Sequence, residues 1–385
     1  MIVRLKSVAA AAALLAALGA ISVSAQVTFK AFVDFCAITS MSGDQSVAVG
    51  TYDDGYTHDV FRWTAAGGVE LIGVPNQAKY GDLSISRDGK TIVGTVPDSQ
   101  GAYHAAVWQG GKNWKILGEF PGAVAGESGA VSIGLGVSGD GSVIVGQAYI
   151  SATQAVAFRW DQADGMVNLG TFDGGINSDS SPLAVSADGG MVIGWDYKQG
   201  FLPPGPGGAA ENGRRGAIWW GGKERLLHPL GWAGEAWATN NNGSIIVGQF
   251  HPLDAAETNG ITGGASTYLW TAWDGHFEDL GAVKVPIGGG ALGNYVSQPY
   301  AVSDDGSVVG GDTGVSEKFA MIWTPKTGMM YLSDFLTMSG VTDHLSWVVL
   351  TRTVYISPDG RVVVGYGAVP GSPFPIPKTW IVTLR

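Results

Sequence analysis

Acidic, imidazole and phenol side chains gather in the stretches that follow a recurrent glycine. Asp53, Tyr56 and His58 come after Gly50, His104 after Gly94, and Asp196 and Tyr197 after Gly194. His251 and Asp254 come after Gly248, Asp312 after Gly310, and Tyr366 after Gly365. Loop carboxylates and histidines are the groups of general acid–base catalysis, and a glycosidase in particular needs two carboxylates of separated pKa flanking a cleft. Acids set beside tyrosines equally make a recognition surface. Asp53, Asp196 and Asp312 each stand within three residues of their glycine, and this spacing predicts that they converge near a common axis.

Other chemistry is sparse. Asp173 to Asp179 gathers several oxygen ligands but follows no standard calcium spacing and lacks a terminal bidentate Glu. Gly126-Glu127-Ser128-Gly129 has the letters of a nucleophile elbow without the strand-to-helix context. There is no HExxH, P-loop or CxxC pattern, so the sequence calls for no metal and no cofactor. Cys36, the single cysteine, reads as a buried bystander rather than a nucleophile.

The elements that must position these residues come from a repeat. Met41 to Gly50, Ile85 to Gly94, Val137 to Gly146, Val185 to Gly194, Thr239 to Gly248, Val302 to Gly310 (one residue shorter) and Ile356 to Gly365 are copies of one phrase. Each has Asp or Asn at its centre, followed by Gly except at Gln45, with β-branched residues around it. That is a hairpin signature, and Gln45 predicts a less regular first turn. The preceding Ser (Asn240 in the fifth copy) is placed to bond turn backbone, a structural role. A second phrase ends in Trp: Trp63, Trp108, Trp160, Trp219/Trp220, Trp270, Trp323 and Trp380. One aromatic per unit is what packs neighbouring sheets together. A third ends in Leu-Gly or a variant, from Ile72-Gly73 to Leu332-Ser333.

Seven four-stranded units predict an all-β fold, a seven-bladed β-propeller. The seventh unit lacks a fourth strand, and Val27 to Val33 is a spare one, so the N-terminal strand should close the ring. Ring closure removes an exposed sheet edge. Glycine at 60 of 385 residues and 45% hydrophobic content suit such a turn-rich single domain over 26–385. Small residues two before the turn serine place the first strand innermost. Strand alternation then puts the long, variable connections at one end, where binding chemistry on a rigid scaffold is usually found.

Residues 1–25 read as a signal peptide: Arg4 and Lys6, an apolar run from Val8, and small residues up to Ala25. Cleavage near Ala25 leaves 20 basic against 33 acidic residues. A charge near −13 argues against nucleic acid and anionic membrane surfaces. The chain is expected in the periplasm or outside the cell, as a monomer without membrane insertion.

The S-x-D-G-x-x-V-V-G hairpin, the A-F-R-W strand and the G-x-x-x-L-G strand resemble the HAF-type extracellular repeats of exported bacterial proteins. The resemblance spans nearly all of the mature chain. It implies a secreted or surface propeller and supplies no catalytic residues. Two functions stay open. One is a binding module that engages an extracellular glycan, peptide or surface protein through the long-loop face. The alternative is a secreted hydrolase or lyase that uses carboxylates and histidines of that face on a polysaccharide or ester.

Overall fold

The computed structural model describes residues 27–73, 82–111, 113–171, 179–202, 211–227, 232–252, 265–288, 291–294, 296–314, 317–372 and 374–384. The predicted signal segment therefore lies outside the described residues. Seven four-stranded antiparallel sheets form a seven-bladed propeller. Blades 1 to 6 span 36–71, 84–116, 132–170, 180–226, 232–281 and 297–331. Blade 7 takes three strands from 349–383 and its outermost strand, Thr28–Asp34, from the N-terminus. Phe29 pairs with Val382 and Ala31 with Trp380, so the ring closes as the spare strand predicts.

The core lies between blades. One cluster joins Val47, Val49 and Val60 of blade 1 to Ile92, Ala106 and Trp108 of blade 2. Another joins Val143, Val145 and Ala157 of blade 3 to Val192, Ala217 and Trp219 of blade 4. The aromatic positions serve these seams: the Trp160 indole donates to the Leu117 carbonyl of blade 2 at 3.0 Å. Trp380 differs in register, facing Gly365 as Phe158 faces Gly146 and Tyr268 faces Gly248. A Cβ at Gly146 would stand 2.0 Å from the Ile133 carbonyl oxygen and 2.6 Å from the Phe158 ring. Gly50, Gly194, Gly248, Gly311 and Gly365 meet a backbone oxygen as closely, so close packing fixes the glycine in six blades.

The turn serines are structural. Ser138 Oγ donates to Asp140 Oδ1 at 2.8 Å and accepts the Val143 N–H at 2.9 Å, and five other blades repeat this pattern. Asn240 takes the place in blade 5, its Oδ1 accepting the Ile245 N–H. The turns also bond to one another around the axis: Gly43 N–H to Arg87 O, Asp88 N–H to Gly139 O, Gly139 N–H to Ala187 O, Ala187 N–H to Asn241 O. Asn241 N–H to Asp304 Oδ1, Asp304 N–H to Pro358 O and Tyr355 O–H to Gly43 O complete the circle.

Three sequence expectations are corrected. Gln45 does not make the first turn irregular: it adopts φ 63°, beside φ 73° for Gly89, and its N–H keeps the bond to Ser42 O. The sixth phrase is not shorter, because Gly311, opposite Pro299, takes the place that Gly194 takes opposite Pro182. Leu332-Ser333 does not end a strand. The outer strand of blade 6 is Gly328–Tyr331, and Leu332 opens a helix, Leu332–Met338, that buries Leu332 and Leu336 under blade 7.

Candidate functional site

The inner strands are interrupted at a recurring place. Register breaks fall between Ile38 and Ser40, Gly134 and Gly136, Pro182 and Ala184, Ala236 and Ala238, Pro299 and Ala301, and Thr353 and Tyr355. A bulge leaves one residue unpaired and re-aims its side chain. Trp237 of blade 5 and Tyr300 of blade 6 are two such residues, and their rings meet edge to face at 5.1 Å. Tyr300 and Val354 also line a cavity of about 200 Å³ that runs to the turn end with walls from all seven blades. Tyr300 therefore lies at the axis, on the long-loop side of that cavity.

The charged groups of the bore collect on Tyr300. The Arg352 guanidinium stacks on its ring at 4.3 Å. Arg352 Nε donates to Asp312 Oδ2 at 2.8 Å, and its Nη1 to Asp82 Oδ2 at 3.3 Å. Asp82 leads into blade 2 while Arg352 belongs to blade 7, so this contact passes blade 1 and lies across the bore. Lys318 Nζ stands 3.3 Å from Asp312 Oδ1 and donates to Gln298 Oε1, which also accepts the Tyr300 hydroxyl at 3.2 Å. Asp312 is fully buried, Arg352 keeps a fifth of its side chain exposed, and Asp82 keeps 56%.

The electrostatics follow. Burial lowers the Arg352 guanidinium, and the negative charge of Asp312 and Asp82 beside it helps to reverse this, so it stays charged. Crowding on the axis raises the Asp82 carboxyl more than Arg352 lowers it, although part of its surface still meets water. Burial also raises the Tyr366 phenol. Two acids thus share one guanidinium, with aromatic rings beside it.

The other predicted residues are spread over the molecule. Asp53 pairs with His58 at 3.2 Å across one exposed loop, and Tyr56 stands free at its tip. His104 is buried, with Nδ1 2.7 Å from Glu119 and Nε2 3.2 Å from Asp98, whose carboxyl also holds the Gln100 and Ala102 N–H groups. It acts as a strut. Asp196 is fully buried in the second strand of blade 4, opposite Arg215, and Tyr197 follows half-buried. His251 is in the strand Ile245–Pro252, opposite Ala233; Asp254 and the 173–178 stretch lie outside the described residues. Of the ten, Asp312 and Tyr366 belong to the axial cluster. Cys36 is enclosed, and burial with Asp34 nearby pushes its thiol up to about 12. Among the described residues no group of three His, Cys, Asp or Glu is arranged to hold a metal.

Sequence reasoning missed Asp82, Tyr300, Lys318 and Arg352. One signal was available: the seven inner strands hold only two charged residues, Glu235 and Arg352. Both are ion-paired, Glu235 with Arg214 at 2.6 Å, the latter also stacked on Trp195 at 4.0 Å.

No protein family's profile matches the chain, and no curated protein is significantly similar to it. Solved structures share the fold. An oligogalacturonate lyase from Vibrio parahaemolyticus superposes with TM-score 0.54 at 11% identity, over 94% of this chain and 97% of that one. The propeller domain of the Trilobed protease from Pyrococcus furiosus gives 0.51 at 10%, over 90% and 95%. TolB from Acinetobacter baumannii gives 0.43 at 12%; the overlap takes in 81% of this chain and 64% of TolB. The seven sheets, with the two likenesses above 0.5, define the class as the β-propeller. No helix among the described residues is long and apolar enough to cross a membrane.

Proposed function

We propose that this chain is an exported recognition module that holds an extracellular glycan, peptide or surface protein at the long-loop mouth of its axis. The observation that carries this is the pairing of Asp312 and Asp82 on a single guanidinium from another blade. A glycosidase needs two acids of separate role with the scissile bond between them. Here the space between the acids is filled by Arg352. What remains for a ligand is the open edge of Arg352, the accessible Asp82 carboxylate and the half-buried rings of Tyr366 and Trp237. That combination positions a polar group and buries an apolar face, as binding sites do. The N-terminal segment and the HAF-like repeat pattern support export, and N-terminal sequencing of the mature protein should begin near Gln26.

A second reading, a secreted hydrolase or lyase, is favoured by one feature. The Asp82 carboxyl is raised and sits beside a cation, as a proton-transferring acid would. Titration of polysaccharides, esters and peptides, read in parallel for binding and for released product, separates the two. The recognition reading predicts saturable binding with no product. Product release abolished by Asp82→Asn, a swap that keeps shape and removes proton transfer, would establish the enzyme instead.

A further inference from the structure

At the turn end, opposite the axial cluster, two tryptophans break the repeat. Trp220 ends the third strand of blade 4, opposite Met191. The same position holds Thr64, Gln109, Asp161, Thr271, Thr324 and Thr383 in the other blades. Polar residues suit it because it faces water, yet here an indole is 64% exposed. Trp273 sits on the turn after the corresponding strand of blade 5, where blades 1, 3 and 6 have Ala66, Ala163 and Lys326, and it is 81% exposed. Neither contributes to a core cluster.

Both indoles line one groove of about 710 Å³ between blades 4 and 5, floored by Met191, Ile218 and Trp270. That volume is within the range of about 300–1,000 Å³ of small-ligand sites, and the site is concave, unlike a flat protein-docking patch. Its rim carries Asp188, Lys223, Glu224 and Arg225, two charges of each sign, with Ser244 and Asn242 between them. Arg225 is set by its stack over Trp270 at 5.5 Å.

From this geometry we infer that the groove is a second binding site, and that its ligand is a neutral oligosaccharide. A pyranose ring presents an apolar C–H face, which removes an indole from water, and a rim of hydroxyls that both donate and accept. Two exposed indoles supply stacking surfaces for sugar rings, and the balanced rim supplies partners of both kinds without selecting for charge. An apolar ligand would strand four charged groups; an anionic polymer meets as many acids as bases, on a chain with net charge −11.

Native affinity electrophoresis tests this. The full chain is run through gels that contain hydroxyethylcellulose, xylan, glucomannan, laminarin or dextran. Retardation is expected in at least one gel, with dissociation constants weakened at least tenfold by Trp220→Ala and by Trp273→Ala, and less by Trp220→Phe. Thermal melts of these surface variants should match the parent. Absence of retardation in all five gels overturns the inference, as does retardation that survives Trp220→Ala/Trp273→Ala. Concentration-dependent dimerisation lost in Trp220→Ala would overturn it too, by showing that a second copy covers the groove.

Discussion

The two ends of the propeller are built on opposite principles. At the turn end six blades repeat one Ser–Asp motif, and seven turns bond in a closed circle. Toward the loop end the blades share a bulge but fill it differently: blade 6 aims Tyr300 into the bore, blade 7 sends in an arginine, and the lead into blade 2 supplies an acid. Repetition marks what every blade needs to fold. Departure from it marks positions the fold does not require. Arg352 is such a departure, and so, within the repetitive end, are Trp220 and Trp273.

Both ends rest on the closed ring. Removing 27–34 should expose the edge of Ile376–Thr383 and bring aggregation or a collapse of thermal stability. Trp380→Ala, at a fully buried seam, should cost about 3–5 kcal/mol by denaturant unfolding. Half-buried Trp160 should cost less. A loss below about 1 kcal/mol at Trp380 would mean that blade 7 does not close as described.

At the loop end, Arg352→Ala should cost about 1.5–3 kcal/mol, because it removes a charged hydrogen bond from the buried Asp312 carboxylate and leaves it only Lys318. At the turn end, Ser138→Ala should cost about 1–3 kcal/mol by orphaning the buried Val143 N–H. The turn acids add a pH dependence. The Ser46 backbone N–H and the Ser42 and Ser46 hydroxyls lower Asp44 from 3.8 to about 2, and Asp88, Asp140, Asp188, Asp305 and Asp359 are lowered as well. A depressed carboxyl stabilises the fold above its unfolded value, and that gain is lost as pH falls through the folded one. Melting temperature should therefore drop between about pH 4 and 2, and less steeply in a variant with three of these acids changed to Asn.

A smaller effect has the other sign. Gln45 holds a left-handed conformation that costs a non-glycine residue about 1–2 kcal/mol. Part of that is offset by glycine's greater freedom when unfolded, so Gln45→Gly should stabilise by about 0.5–1 kcal/mol. Asp82→Asn should change stability least, within about 0.5 kcal/mol, since it removes an acid whose charge the bore already disfavours.

How much the sequence discloses follows the same division. Asp-Gly turns, recurring Trp and the unmatched first strand sufficed for blade number, strand order and ring closure, because those depend on local chemistry repeated seven times. The axial cluster was legible only in part. Asp312 and Tyr366 stand after the repeat's glycine and are found by position, whereas Asp53 and His58 stand there too and pair with each other in an exposed loop. Tyr300 and Asp82 depend on a bulge and on a contact between residues 270 apart, which no local pattern encodes. Arg352 was visible as a rare charge in an inner strand, its partners were not.

Recognition at the axis is tested by a calorimetric titration of whichever soluble glycan or peptide binds, against the parent, Arg352→Lys and Asp82→Asn. Lysine keeps the charge and loses the planar fork that reaches both acids. Affinity should be at least tenfold weaker in Arg352→Lys and clearly reduced in Asp82→Asn, with the latter's melting unchanged. Equal affinity in all three proteins would contradict this and remove the axial cluster as the recognition site.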